Sequence, residues 1–108
     1  MKLLTKAIET KLRANFVSQQ ENQKPVLKLF GGAAFTLLAT EMDHDGNLFG
    51  LADLGFGSPE LGWTNFAEIE AVRFPPFNLP VERDLYFVTD KTISEYADEA
   101  RITGRIVA

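Results

Sequence analysis

The most constraining feature of the chain is Asp43-His-Asp-Gly-Asn47, a run of turn-forming residues set between two apolar segments. Glycine after Asp45 tolerates the positive φ angles of a tight reversal, and an aspartate side chain bonds readily to backbone two residues on. Before the turn, Phe35, Leu37 and Ala39 alternate with Thr36, Leu38 and Thr40, the period-two pattern of a half-buried strand. Ala34 to Glu41 and Leu48 to Leu54 are therefore expected to form the two arms of an antiparallel hairpin. A chain of 108 residues built around such a hairpin has room for one domain, 1–108, with one modest core.

The flanking segments carry helical periods. Leu4, Ile8, Leu12 and Phe16 recur every four residues around Thr5, which predicts an amphipathic helix ending near Ser18. Gln19 to Lys24 reads as a polar loop, and Pro25 opens a strand over Val26–Phe30, where a proline must stand at the start or on an edge. Gly31 and Gly32 supply a turn. Asn65 and Glu68 have capping-box spacing and begin a short helix with Phe66, Ile69 and Val72 along one side. Phe74-Pro-Pro-Phe-Asn-Leu-Pro80 cannot be helical, because its prolines lack donors and restrict the residues before them; an ordered apolar crossing loop is expected. Val81–Phe87 is the next strand. Thr92 and Glu95 form a second capping box ahead of Ile93, Tyr96, Ala97 and Ala100, and Gly104 stops that helix. The sum is an α+β fold: an antiparallel sheet of three to four strands, covered on one face, with an N-terminal helix, a short middle helix and a C-terminal helix.

Composition narrows the class. A hydrophobic content of 45% with twelve aromatics, nine of them Phe, supplies enough apolar surface to offset chain entropy, which argues against disorder. No apolar run reaches the roughly 18 residues of a bilayer span, and the amino terminus lacks the h-region and cleavage site of a secretory signal. The absence of cysteine removes disulfides, thiolate metal sites and cysteine nucleophiles, and fits a reducing compartment; the cytoplasm is the expected location. The net charge of −4 is unevenly spread. Met1 to Lys28 holds six bases against two acids, Leu29 to Val72 holds none against seven, and Arg73 to Ala108 holds five against six. The basic first segment, with Lys2, Lys6, Lys11 and Arg13 and with Lys24 and Lys28 behind them, admits a nucleic-acid-associated module as an alternative. A pI of 4.9 and the lack of basic-aromatic interleaving weigh against it.

Catalytic chemistry is thin. His44 is the only histidine, and its place at the hairpin tip makes it a solvated turn residue; the spacing around it fails the calcium-loop pattern. Ser18, Ser58 and Ser94 would all compete for that one base, so no nucleophilic set assembles. Gly55-Phe-Gly57 invites a phosphate-cradle reading, but Glu60 takes the third glycine position and no Gly-Lys-Ser/Thr follows; the glycines are read as architectural. Asp53, Glu60 and Trp63 would line a groove if the loop folds back over the hairpin, and paired carboxylates there would hold a metal or a basic group. With Glu82 or Asp84 added, this becomes a second alternative, a metal-dependent hydrolase. In a strand, Glu82 and Asp84 share one side and Arg83 takes the other. A buried Arg83 needs a carboxylate, and Asp53 and Glu60 are the candidates for a structural salt bridge. No resident metal or cofactor is expected, and the expected partner is a protein.

Several short motifs occur in order: Met1-Lys-Leu-Leu-Thr5, Lys24-Pro-Val26 with Lys28-Leu-Phe30, Leu48-Phe-Gly-Leu51 with Asp53-Leu-Gly55, Pro59-Glu-Leu-Gly62, and Leu79-Pro-Val-Glu-Arg-Asp84. Together they resemble a small bacterial family, a domain of unknown function that recurs on plasmids, phages and integrative elements. The resemblance covers nearly the whole chain. It departs near Phe35, where the family often carries Trp, a core exchange of similar size. The resemblance implies a mobile-element setting and, from the family's company with DNA-modifying and conjugation proteins, an accessory role; it hands over no catalytic residue. The expected function is a non-enzymatic accessory or interaction domain that contacts its partner through the acidic, glycine-rich loop 53–63.

Overall fold

Leu37 and Leu38 are neighbours in sequence and both are fully buried in the computed structural model, which describes residues 2–108. Consecutive side chains of a strand leave opposite faces, so the sheet that carries this pair must be covered on both. Met1, the first residue of the opening motif, lies outside the described residues.

The chain runs α1 (Lys6–Ser18), β1 (Leu27–Gly31), β2 (Phe35–Met42), β3 (Asn47–Asp53), β4 (Glu60–Asn65), α2 (Phe66–Ala71), β5 (Arg73–Phe74), β6 (Leu79–Pro80), β7 (Glu82–Arg83) and α3 (Ile93–Thr103). The main sheet has the order β4-β3-β2-β1-β7 with every neighbour antiparallel, and β5 pairs with β6 as a separate two-stranded sheet. One cluster joins Leu27, Leu29, Leu37, Ala39, Met42 and Leu48 to Leu12 of α1, Ile69 of α2 and Val81. A second joins Leu38 and Leu51 to Ile93, Tyr96, Ala97 and Ala100 of α3. Leaving Leu38 and Leu51 to water would forfeit about 4 kcal/mol, and α3 is the element that prevents it.

Local signals place the helices. Thr5 Oγ1 accepts the Ile8 N–H at 3.1 Å and starts α1. Around α3 the full capping box forms: Thr92 Oγ1 accepts the Glu95 N–H and Glu95 Oε1 accepts the Thr92 N–H; Gly104, at φ 77°, closes the far end. Asn65 Oδ1 accepts the Glu68 N–H and completes half of the corresponding motif at α2. The hairpin forms where its turn signal places it. Asp43 Oδ1 accepts the N–H groups of Asp45 and Asn47 at 3.0 and 2.8 Å, and Gly46 takes φ 81°. A bulge shifts the β2–β3 register between Ala39 and Glu41, and Asn15 Nδ2 of α1 donates to the Thr40 carbonyl there.

Three helices in the expected order accompany a sheet arrangement that differs from expectation. The main sheet has five strands rather than three or four, a second sheet of two strands is present, and both faces of the main sheet are covered. β4 hides in the sequence because it is an edge strand with no fully buried side chain and Gly62 interrupts its alternation. β5 and β6 lie at the two ends of the proline-rich crossing, where Arg73 and Phe74 pair with Pro80 and Leu79. The Phe74 ring packs over Gly31 and Gly32; a Cβ on Gly31 would stand 2.4 Å from it. The strand expected over Val81–Phe87 contracts to two residues. Asp84 still donates its N–H to the Lys28 carbonyl, but its own Oδ1 then accepts the Tyr86 N–H at 2.9 Å and turns the chain away.

Candidate functional site

The loop after β3 is built from its first residue outward. Asp53 is 5% exposed; its Oδ1 accepts the Gly55 N–H at 2.8 Å and its Oδ2 the Ile106 N–H at 3.1 Å. It closes its own loop and ties down the C-terminal segment. Gly55 and Gly57 hold φ 88° and 83°, a left-handed conformation that favours glycine, and let Leu54 to Pro59 reverse without contributing to the core. Leu54 and Phe56 are left exposed at 62% and 85%. The chain then returns as β4, which pairs with β3 rung by rung from Ala52↔Glu60 to Asn47↔Asn65 with no register shift. Among the described residues no strand pairs with the other edge of β4. Leu61 and Trp63 stand on it, 41% and 50% exposed.

Glu41, Phe49 and Trp63 occupy one row across β2, β3 and β4 and therefore share a face. The Phe49 and Trp63 ring centroids are 5.3 Å apart, Phe16 of α1 meets Trp63 edge-on at 6.2 Å, and His44 meets Phe16 edge-on at 5.4 Å. Burial raises the Glu41 carboxyl above its usual range. Asp43 shifts the other way: the Asn47 backbone N–H, foremost among its bonds, lowers it. His44 itself is exposed at the hairpin tip.

The expected groove of Asp53, Glu60 and Trp63 is not assembled. Asp53 shares a face with Trp63 but lies at the other end of β3, and Glu60, opposite Ala52, points to the other face. The second expected cluster is distributed in the same way. Glu82 lies opposite Phe30 and Arg83 opposite Leu29 on β1. Arg83 and Glu60 are on opposite edges of a five-stranded sheet, about 19 Å apart at the usual strand spacing, so that salt bridge is excluded. Asp53 is three strands from Arg83 on the other face and is occupied by backbone donors. Asp84 instead stands 3.7 Å from Lys28 Nζ, which also donates to the Ala108 oxygen at 2.9 Å. Phe30, Glu82, Asp84, Leu85 and Tyr86 line an open groove of about 500 Å³ beside β7.

The basic residues of the first segment do not form one stripe. Arg13 is committed to Glu9, at 2.9 Å, and to the Asp43 carbonyl, at 3.0 Å. Lys6 and Lys11 are exposed but project about 140° apart around α1. Lys2 is exposed ahead of the helix, and Lys24 approaches Asp90 at 3.8 Å. Among the described residues no three of His, Asp and Glu come together in a way that would hold a metal ion, and no helix is long and apolar enough to cross a membrane. Taking residues 53–63 as one loop missed the strand edge within them. Its signal was present, since Leu61 and Trp63 alternate with Glu60, Gly62 and Thr64, but glycine at the centre obscured it.

Residues 3–107 match the profile of a family described as a protein of unknown function (DUF2958). No curated protein and no solved structure matches the chain.

Proposed function

The chain belongs to the DUF2958 family, whose function is unknown, and from its surface we propose a non-enzymatic accessory domain that holds a protein partner through residues 54–65. The carrying observation is that loop and edge strand together expose four large apolar residues, Leu54, Phe56, Leu61 and Trp63. They lie within the stretch from Leu29 to Val72, which has seven carboxylates and no Lys or Arg. Large apolar side chains left in water favour a protein contact, because covering them releases water that the free domain must otherwise order. The loop 53–63 of the sequence reading thus divides into a buried anchor, Asp53, a projecting loop and a strand edge. The motif resemblance supplies the setting: a mobile genetic element, with the protein at work in the cytoplasm.

The side-chain chemistry favours binding over bond-making. Ser18 Oγ donates to the Asn15 carbonyl and Ser94 Oγ to Asn22 Oδ1, so neither hydroxyl is directed at His44. The test is a pull-down from a host carrying the parent element, with the wild type beside the double variant Leu61→Ser, Trp63→Ala. A protein retained by the wild type and lost by the variant, with far-UV circular dichroism and melting unchanged, is the expected result. Equal retention by both overturns the assignment of this surface.

A further inference from the structure

Resting on that reading, we infer that the open edge of β4 takes an extended, arginine-bearing segment of the partner as a sixth strand. The two edges of the main sheet are unlike. β7 exposes two residues, a length too short to template another strand, whereas β4 exposes six. Edge strands are usually protected by lysine, proline or a bulge, and β4 has none of these. Its one charge, Glu60, sits at its end. The space beside the central Gly62 is open, since a Cβ there would meet nothing within 4 Å. A strand laid against this edge satisfies its backbone donors and acceptors, and its alternate side chains fall beside Leu61 and Trp63 at about 5 Å.

Charge selects the occupant. Glu60 stands at one end of the edge, and exposed Glu68 follows the other end at the start of α2. Arg101 of α3, which lines a cavity with Glu60 and Leu61, is paired with Asp98. A basic segment therefore meets carboxylates at both ends, where a guanidinium can pair with them. A second copy of this chain would bring the same acidic edge and be repelled.

The probe is an acetylated eight-residue peptide alternating valine and arginine. Its controls are the valine–glutamate counterpart and a valine–arginine copy N-methylated on alternate backbone nitrogens. Trp63 is the only tryptophan, so emission reports on this edge directly. The expected result is a saturable change with the basic peptide, at least tenfold weaker for either control, with slowed amide exchange at residues 60–65. Glu60→Lys with Glu68→Lys, both on exposed positions, should weaken the basic peptide at least fivefold. No saturable change, or equal binding of the acidic or N-methylated peptide, overturns the inference. If the peptide fails while Leu61→Ser, Trp63→Ala still releases the captured protein, the strand mode alone falls. If that variant retains the captured protein, the underlying surface assignment falls whatever the peptide does.

Discussion

Asp53 Oδ2 accepts the backbone N–H of Ile106 at 3.1 Å, a bond that joins the end of β3 to the segment beyond α3. Ile106 packs against the cluster of Leu38, Leu51 and α3, so one carboxylate holds the C-terminal segment across the face that α3 only partly covers. The other oxygen fixes the start of the glycine-rich loop.

Asp53→Ala leaves two N–H groups without their acceptor. A hydrogen bond to a charged group contributes about 1.5 to 3 kcal/mol net, and the two share one desolvated carboxylate, so a loss of about 3 kcal/mol is expected. Urea unfolding at pH 7 reads it as a lower midpoint with little change in slope. An unchanged midpoint would show that the tether is idle.

Gly50 and Gly62 are paired across β3 and β4, yet they should respond oppositely to alanine. A Cβ on Gly50 would lie 1.9 Å from the Leu38 carbonyl oxygen and 2.8 Å from the Ala39 Cα, and backbone cannot step aside cheaply. Gly50→Ala is expected to cost about 3 kcal/mol or more. Gly62→Ala meets open space and reduces the freedom of the unfolded chain, so it should be neutral or stabilising by about 0.5 kcal/mol. Paired thermal melts check both signs in one experiment.

The parts of this fold legible in the sequence are those in which a local interaction decides the structure. Thr5, Asp43, Asn65, Thr92 and Gly104 each bond or turn within a few residues, and each does what its type and spacing imply. The number of strands was not legible, because it depends on pairing. Glu60–Asn65 is a strand only because β3 lies beside it, and Val81–Phe87 stops after two paired residues only because Asp84 bonds forward to Tyr86. The coverage of both faces is written in Leu38, whose position among alternating residues reads as solvent-facing until α3 is placed over it.

The candidate site divides in the same way. Trp63 and Glu60 were legible as unusual residues in a base-free tract, and both are exposed. Asp53 was legible only as a carboxylate; that Ile106 would consume it required a contact between residues 53 apart. Phe16 and Phe49, which surround Trp63, read as ordinary members of apolar stripes.

Thr92→Ala removes one side of the capping box and leaves the Glu95 N–H without its side-chain acceptor. Caps of this kind contribute about 1 kcal/mol. Because α3 packs on Leu38 and Leu51 together with Phe87 and Ile106, the loss should extend beyond local fraying: amide exchange should quicken in the first turn of α3, and global stability should fall by a similar amount. Quickened exchange with no global loss would mean that the cap serves the helix end only.

Glu41 and Asp43 should give the stability profile opposite slopes in separate pH windows. Burial raises Glu41 above its ordinary 4.5, so between that value and its folded value the native state holds the extra proton. Its contribution therefore falls as pH rises through the window, and the penalty is complete above it. Asp43 is lowered below its ordinary 3.8 by the Asn47 backbone bond, so its contribution is present above 3.8 and is lost as pH falls through the folded value. Glu41→Gln is expected to raise stability at pH 7, with the gain shrinking to nothing in acid, while leaving the acid-side loss intact. Asp43→Ala should lower stability at pH 7 and flatten the acid limb, because the turn no longer has a carboxylate to protonate. Chemical denaturation from pH 2.5 to 8 separates the two. A Glu41→Gln gain that persists unchanged below pH 4 would mean that its origin is packing rather than the cost of a desolvated charge.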